Sequence, residues 1–501
     1  MILSQQTLTY SNDEYNNQTR VYEYDYDVGT PGAFIRRTDT DYVTTNNGVN
    51  YATDTSIHIR NLPSRIQVFS DEAGTTKKAE TVFEYDDYST ATNHAALVNR
   101  TNITGLDSGF TTSYTKRGNV TKVTNWRNVG GADITSYMQY DIAGNVVKTI
   151  DANGNATTFD FNDRFGSPTG DAQQNAVNGE GTYTTAPSYW LGSLTTYAFP
   201  TKVTNALGHI AYTQFDYFLG QPVDTEDPNG IKSSLYYDDA LDRPTKGIRA
   251  VGTSLANQTV ITYDDTNKVI TVATDKDANQ DGVLQSKALY DGLGRTWRKA
   301  SYEGSNNWAI VETQFDALGR AYRSSKAFRD TSPTAALPMY PEWTISTFDA
   351  LGRVTQVKTP DDAHVDTAYE GNQVMVTDQA GKKRISQTDA LGRLLKVWEV
   401  TPSDSWTTTV SFGGQNQTGY LTTYSYDTLD NLTTVTQGAQ TRTFRLGAST
   451  QERFFQFATD GTARDVTIEV PQPVTPRELG LGADDRKIGL GLVGLEIGAG
   501  L

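Results

Sequence analysis

The chain has 501 residues, a formal net charge of −16, no cysteine and 37% hydrophobic residues. The acidic charge argues against nucleic acid or an anionic membrane as the main partner, because phosphates require clustered Lys and Arg. The lack of cysteine excludes a disulfide scaffold, thiol catalysis and Cys-ligated zinc.

Residues 1–110 are predicted to form divergent β repeats, with strands at 57–60 and 81–85. Residues 1–6 lack the basic and apolar stretches of a secretory signal, and no run of about 18 apolar residues occurs in the sequence. The chain is therefore expected either to stay in the cytoplasm or to be a piece of a longer protein whose export signal lies elsewhere.

Residues 111–444 are predicted to form an array built on one recurring pattern, an aromatic residue followed by Asp-x-x-Gly-Arg. The clear copies contain Tyr140, Asp141 and Gly144; Tyr290, Asp291, Gly294 and Arg295; Phe315, Asp316, Gly319 and Arg320; Phe348, Asp349, Gly352 and Arg353; and Asp389, Gly392 and Arg393. Looser copies are found at 114–119, 163–166, 215–220, 239–243 and 426–431.

Each copy is interpreted as a tight turn between two antiparallel strands. The Asp side chain is expected to accept hydrogen bonds from the backbone N–H groups two and three residues later, and the Gly to supply a positive φ. A second type of turn is predicted between the copies, at 151–154, 227–230 and 378–381. Turns spaced by roughly 10 residues predict an antiparallel meander.

One loop carries a candidate metal site. Asp277, Asn279 and Asp281 match the first half of a calcium loop of the EF-hand type, in which oxygen ligands recur at alternate positions. The twelfth position, where a bidentate Glu belongs, is Ala288, and the flanks are predicted strands. The alternative is an enlarged polar hairpin loop, since Asp, Asn and Gly favour turns. Calcium is the one cofactor that the sequence suggests.

No catalytic site is predicted, and the protein is expected not to be an enzyme. His58, His94, His209 and His364 are scattered singly, so each is expected to be a surface or strand residue. Neither a Gly-x-Ser-x-Gly elbow nor a phosphate-binding Gly-x-x-x-x-Gly-Lys loop occurs. The many carboxylates single out no glycosidase pair.

The repeat pattern stops near residue 444, and residues 445–501 form a Gly- and Leu-rich tail without strand alternation. A tail of this composition is expected to be poorly ordered. We interpret it as the truncated or frame-shifted end of a longer reading frame, with a genuine divergent segment as the alternative.

The array resembles the tyrosine-aspartate (YD) repeats of the RHS family, which includes bacterial polymorphic toxins, C components of insecticidal Tc complexes, wall-associated proteins and teneurins. The resemblance rests on copies such as Tyr-Asp-Gly-Leu-Gly-Arg at 290–295, and it covers about 114–426, with a thinner match from Tyr22 onwards. It implies an all-β fold, an antiparallel β-hairpin repeat array wound into a spiral β-shell. Whether the shell closes stays open.

The resemblance implies a structural or encapsulating module of a secreted or cell-surface bacterial protein, in a polymorphic toxin or a contact-dependent competition system. Its partner would be a C-terminal effector or another part of a longer chain. Family members that release an effector carry a self-cleaving core with Asp-Pro-x-Gly-Leu, whereas the one Asp-Pro here, at 227–228, continues as Asn-Gly-Ile.

The alternative function is a carbohydrate-binding or adhesive cell-surface protein without cargo, whose partners would be glycans. Exposed aromatic rings would then act as sugar-stacking platforms. The competing interpretation is that the aromatic side chains pair across strands and fill one face of the sheet.

Overall fold

The computed structural model describes residues 4–5, 8–162, 196–437 and 440–443, except for 52, 56, 104, 129 and 218. Within these ranges the regular structure consists of β-strands, and the pairings in the sheets are antiparallel. The prediction of an all-β, antiparallel fold is confirmed. No described segment forms a helix with the length and apolar character needed to cross a membrane. The copy expected at 163–166 and the tail at 445–501 lie outside the described residues.

The strands are numbered in chain order. They are β1 (Ser4–Gln5), β2 (Leu8–Asn12), β3 (Gln18–Tyr24), β4 (Asp27–Val28), β5 (Phe34–Tyr42), β6 (Thr45–Asn46), β7 (Val49–Asn50), β8 (Pro63–Phe69), β9 (Lys77–Tyr85), β10 (Val120–Asn125), β11 (Ile134–Tyr140), β12 (Val146–Ile150), β13 (Ala156–Asp160), β14 (Lys202–Thr204), β15 (Ile210–Asp216), β16 (Gln221–Glu226), β17 (Lys232–Tyr236), β18 (Lys246–Arg249), β19 (Asn257–Asp264), β20 (Val269–Thr274), β21 (Leu284–Tyr290), β22 (Thr296–Gly304), β23 (Asn307–Phe315), β24 (Ala321–Ser325), β25 (Phe328–Asp330), β26 (Trp343–Phe348), β27 (Val354–Lys358), β28 (His364–Glu370), β29 (Gln373–Thr377), β30 (Lys383–Thr388), β31 (Leu394–Val400), β32 (Thr407–Phe412), β33 (Gln415–Tyr426), β34 (Leu432–Gln437) and β35 (Gln440–Thr443).

The chain divides into two compact units. The larger unit comprises Thr7–Tyr24 and Phe34–Asp366, and the smaller comprises Met1–Gln6, Asp25–Ala33 and Thr367–Leu501. In the larger unit, β2, β3, β5, β8 and β9 pair in that order, and each later strand up to β24 pairs with the one before it. In the smaller unit, β29 to β31 pair in sequence and the long β33 pairs with β31, β32 and β34.

The buried apolar side chains form several small clusters. In the larger unit, Ala300 and Trp308 pack with Ile310, which is fully buried where β22 pairs with β23. In the smaller unit, one cluster consists of Ile385, Trp398, Val410 and Phe412. Because these clusters link neighbouring strands, stability is expected to arise mainly from contacts between adjacent repeats.

A buried ion pair lies across the same two strands of the larger unit. Arg298 on β22 is the register partner of Glu312 on β23, and Nη2 of Arg298 lies 2.7 Å from Oε2 of Glu312. Both side chains are more than nine-tenths buried. Arg298 also donates through Nη1 to the Ala335 carbonyl at 2.6 Å. A buried pair of this kind fixes the register, because either charge alone would be costly to bury.

The aromatic residue of the repeat lies at a β-bulge. On β21, Leu289 pairs with Arg298 and the next residue, Tyr290, pairs with Thr296, so the returning strand carries one extra residue, Trp297. The same shift occurs beside Tyr140, Phe315, Phe348, Thr388 and Tyr426. A bulge increases the local twist of the strands, and its recurrence therefore repeats the same twist along the array.

Candidate functional site

The repeat turn holds an aspartate, a glycine and an arginine in fixed positions. Oδ1 of Asp291 accepts hydrogen bonds from the N–H groups of Leu293 (2.9 Å) and Arg295 (3.0 Å). The Gly294 N–H donates to the backbone carbonyl of Asp291 at 3.2 Å. The expectation that the side chain binds the second and third N–H groups was therefore half right. The backbone carbonyl takes the third N–H, which leaves the side chain to bind the fourth.

This arrangement recurs throughout the described array. The side-chain bonds to the second and fourth residues are present in the turns that begin at Asp141, Asp316, Asp349, Asp389 and Asp427. The turns expected to be a second type have the same bonds, at Asp151, Asp227 and Asp378. Asn205 makes them too, in a copy that the sequence analysis missed. The same turn geometry is therefore found within the repeat copies and in the turns that lie between them.

The glycine of the turn has a left-handed backbone, with φ of +76° at Gly294. We expect Gly294→Ala to cost about 1–2 kcal/mol, because a Cβ is disfavoured in this region. Gly292 in the same turn is the matched control. Its added Cβ would meet nothing within 4 Å, and it has no positive φ. Gly292→Ala should therefore be neutral or slightly stabilising. Urea unfolding of both variants checks this, and equal midpoints would contradict it.

In the copies at 290–295 and 315–320, the arginine joins its own turn to the next copy. Nε of Arg295 donates to Oδ2 of Asp291 at 2.8 Å, and its guanidinium lies 4.4 Å from the centre of the Phe315 ring, which begins the next copy. Arg320 likewise donates to Asp316 at 2.7 Å and lies 4.5 Å from the Phe348 ring. The sequence analysis assigned the arginine no role. The structure makes it a link between adjacent repeats through an ion pair and a cation–π contact.

Three of the turn carboxylates, those of Asp227, Asp239 and Asp291, have a lowered pKa and are stabilised in their charged form. The hydrogen bond from Arg243 lowers the pKa of Asp239 to about 2. Backbone hydrogen bonds, first from Arg295 and Ile231 respectively, lower the pKa values of Asp291 and Asp227. Because the folded carboxyls bind protons more weakly than unfolded ones, protonation favours unfolding.

These pKa values predict the acid response of the array. The stabilisation should be fully present above about pH 4, the ordinary pKa of Asp, and should be lost as the pH falls through the folded values toward about 2. Thermal unfolding followed from pH 7 to pH 2 measures this. A melting temperature that instead dropped mainly between pH 7 and pH 5 would contradict the prediction.

One turn is divided by a long insertion. Tyr85 and Asp86 supply its first half, whereas Gly118 and Asn119 supply its second half, after residues 87–116. The Asp86 N–H donates to the Asn119 carbonyl at 2.9 Å, as in the uninterrupted turns. The Asp86 carboxylate accepts the N–H groups of Gly118 (2.7 Å) and Asn119 (2.9 Å). The copy expected at 114–119 is therefore the second half of a turn whose aspartate lies much earlier.

The insertion 87–116 covers the next turn of the array. Val98 in the insertion forms a bridge with Asp141, and the N–H of Ile142 donates to the Val98 carbonyl at 3.0 Å. Asp141 is fully buried as a result. This turn has Asn145 where others have arginine, and Arg100 from the insertion supplies the missing ion pair, with its Nε 3.0 Å from Oδ2 of Asp141. Arg100 of the insertion thus takes the place of the arginine that pairs with the turn aspartate in other copies.

The candidate calcium residues lie in the hairpin loop between β20 and β21. The carboxylate of Asp281 accepts hydrogen bonds from the backbone N–H groups of Lys276, Asp277, Ala278 and Val283, at 2.8–3.1 Å. The Asp277 carboxylate is 74% exposed and lies 3.3 Å from Nζ of Lys276. Asn279 lies in the same exposed loop. Asp281 thus holds an enlarged polar hairpin loop together, and calcium binding there stays a prediction.

Among the four histidines, His94 differs from what the sequence analysis expected. His209 and His364 lie at exposed positions beside turns, whereas only 7% of the His94 side chain is accessible. Its Nε2 lies 2.6 Å from Oε1 of Glu84 on β9. No spacing rule predicted this contact, because the insertion folds back to bring His94 to the strand that precedes it.

Comparisons with known proteins support the fold. A crystal structure of TcdB2-TccC3 is similar over 87% of this chain and 26% of that chain, with a TM-score of 0.55 and 12% identity. TcdB2-TccC3 without its hypervariable C-terminal region gives a TM-score of 0.54 at 11% identity, over 87% of this chain and 28% of that chain. At such low identity the likeness shows the fold, and this chain spans about a quarter of the length of those chains.

A family model described as a domain of unknown function (DUF7024) matches residues 420–499. Most of this segment lies beyond the described residues. TccC3 also occurs, as a D651A mutant, in a structure of the Photorhabdus luminescens Tc holotoxin pore, which superposes with a TM-score of 0.31 at 11% identity, over 87% of this chain and 26% of that chain. No curated protein sequence matches the chain.

Proposed function

We propose that this chain is an RHS-type repeat module that acts as a structural, encapsulating part of a secreted or cell-surface bacterial protein, in toxin delivery or contact-dependent competition. The observation that carries the proposal is the linked turn, in which an arginine binds its own aspartate and the aromatic ring of the next copy. Such links favour a continuous scaffold, and the similarity to TcdB2-TccC3 supports a toxin-related repeat fold.

The linked turns also weigh against the carbohydrate-binding alternative. The rings of Phe315 and Phe348 each carry a guanidinium within 4.5 Å of the ring centre, so that one face of each ring is occupied. Among the residues that the structure describes, Tyr340 and Trp406 are the exposed aromatic residues best suited to sugar stacking, at 85% and 62% exposure. A glycan array in which the chain binds and the variants Tyr340→Ala and Trp406→Ala do not would favour the alternative.

If this chain is part of a longer gene product, limited proteolysis of that product tests encapsulation. An enclosed C-terminal segment should survive a protease concentration that degrades the same segment expressed alone. A variant that opens the array, such as Asp86→Asn, should lose this protection. If the C-terminal segment is cleaved equally fast in the full-length protein and on its own, encapsulation is wrong.

We also propose that the chain performs no chemistry itself. The recurring turn geometry commits the turn aspartates to backbone hydrogen bonds and, in the turns that carry one, to arginine, which leaves them poorly placed to transfer protons. Intact-mass measurement during incubation of the purified chain is expected to show one unchanged mass. Appearance of two fragments whose masses add up to the whole would indicate self-cleavage and contradict this proposal.

A further inference from the structure

Three potential metal ligands meet where the insertion 87–116 begins. Glu84 lies on β9, Asp87 directly follows the turn aspartate, and His94 lies seven residues further along the insertion. One ligand atom from each of these residues lies within 4.8 Å of the other two. Nε2 of His94 is 2.6 Å from Oε1 of Glu84 and 3.7 Å from Oδ2 of Asp87.

The imidazole of His94 is held in the orientation that a metal ligand needs. Nδ1 lies 3.1 Å from the Thr92 carbonyl, which can only accept, so Nδ1 carries a proton and Nε2 faces the carboxylates. The ring packs edge-on against Tyr137, with ring centres 5.2 Å apart, and 93% of the side chain is removed from solvent. Metal-bound histidines are typically oriented in this way, by a hydrogen bond from the other ring nitrogen to a carbonyl or carboxylate.

Each carboxylate has one oxygen engaged elsewhere and one directed at His94. Oδ1 of Asp87 accepts the Ser89 N–H at 2.9 Å, and Oδ2 faces the imidazole. Oε2 of Glu84 lies 3.5 Å from Nζ of Lys122, and Oε1 faces the imidazole.

We propose that Glu84, Asp87 and His94 bind one divalent transition-metal ion of the zinc type. The short contact between Nε2 and Oε1 requires a shared proton, and the ion would take the place of that proton. Ligand atoms bound to zinc at about 2.1 Å lie roughly 3.4 Å from one another. Oε1 of Glu84, at 2.6 Å from Nε2 of His94, therefore needs to move away from the imidazole, whereas Oδ2 of Asp87, at 3.7 Å, is already close to the required distance. One imidazole and two carboxylates favour zinc or its first-row neighbours over calcium and magnesium, which prefer all-oxygen sites.

The consequence of binding is structural. Glu84 belongs to the sheet, whereas Asp87 and His94 belong to the insertion, so a bound ion ties the insertion 87–116 to the sheet near its start. The insertion also covers the Asp141 turn through Val98 and Arg100. Metal binding should therefore protect the covered turn as well as the insertion.

Titration calorimetry of the chelator-treated full chain with Zn²⁺ tests the proposal. The native chain should bind one tight equivalent, and Asp87→Asn and His94→Ala should each weaken that binding by about 10-fold or more, since even loss of an outer-shell partner has effects on this scale. His364→Ala is the matched control. Its Nδ1 also faces a carbonyl, that of Asp362 at 3.3 Å, and one carboxylate, of Asp366, lies 3.4 Å from Nε2, but the side chain is 49% exposed. His364→Ala should bind Zn²⁺ as tightly as the native chain.

A second measurement locates the ion. Zn²⁺ should slow proteolysis within 87–116 in the native chain and in His364→Ala, but not in Asp87→Asn. The proposal is overturned if the native chain binds no tight equivalent, or if Asp87→Asn binds Zn²⁺ as tightly as the native chain. It is also overturned if Ca²⁺ or Mg²⁺ competes for the same equivalent at comparable concentration. Circular dichroism shows whether each variant is folded. If His94→Ala fails to fold, the Zn²⁺ affinity of Asp87→Asn alone decides the test.

Discussion

Replacing Asp86 by asparagine is expected to destabilise the divided turn by about 3–5 kcal/mol, because both carboxylate oxygens are buried acceptors. Oδ2 accepts the N–H groups of Arg117 (2.9 Å) and Gly118 (2.7 Å) and the hydroxyl of Tyr51 (2.8 Å). Oδ1 accepts the Asn119 N–H at 2.9 Å. Whichever oxygen becomes the amide nitrogen, at least one backbone N–H faces another donor.

Hydrogen exchange of the Gly118 and Asn119 amides measures the local free energy of opening directly. Asp151→Asn is the control, since Asp151 lies in an exposed turn. Its Oδ1 accepts the backbone N–H groups of Asn153 and Asn155, and its Oδ2 accepts only the side-chain amide of Asn155. Asn205 already makes the same two bonds in its own turn. The control variant Asp151→Asn should therefore change the hydrogen exchange of the Asn153 and Asn155 amides little. Comparable losses in both variants would show that burial of Asp86 is not the cause.

Removing one partner of the buried ion pair should have an effect of similar size. Arg298→Met leaves the Glu312 carboxylate buried without its cation and is expected to cost about 3–5 kcal/mol. The double variant Arg298→Met, Glu312→Leu removes both charges and should recover most of that loss. Hydrogen exchange along β22 and β23 reports both changes.

The exposed pair between Lys326 and Glu342 is the comparison for this prediction. Its side chains are 69% and 56% exposed, and its ammonium lies 2.9 Å from the carboxylate. Lys326→Met should cost less than about 1 kcal/mol, because solvent screens the interaction. If Arg298→Met has an effect as small as Lys326→Met, the register of β22 and β23 does not depend on the buried pair.

The sequence was sufficient to predict most strands and turns of the array, because the information is local. The strand expected at 57–60 was wrong, since these residues lie outside the strands, between β7 and β8. An aspartate, a glycine three residues later and alternating side chains lie within one hairpin, as in the copy that contains Asp291 and Gly294. The left-handed conformation of Asp242 and Asp430, which replace the glycine, follows from the same local rule.

The features that the sequence analysis missed depend on distant residues. Asp86 and Gly118 complete one turn although the insertion separates them, and Arg100 acts for a turn that begins at Asp141. The sequence did contain a signal for the divided turn, namely two incomplete halves of the motif, Tyr-Asp at 85–86 and Gly-Asn at 118–119. It contained no signal for the contacts of His94, because Glu84 and Asp87 become neighbours of this side chain only when the chain folds back.

The divided turn also has a consequence for how such chains can change in length. Closing a longer loop costs entropy that grows only as the logarithm of its length, so the hydrogen bonds of one aspartate can hold the ends of a short or a long segment together. Residues 87–116 occupy such a position without altering the pairing of β9 with β10. A repeat turn of this type is therefore a place where whole segments, including foreign ones, can be inserted while the register of the flanking strands is kept.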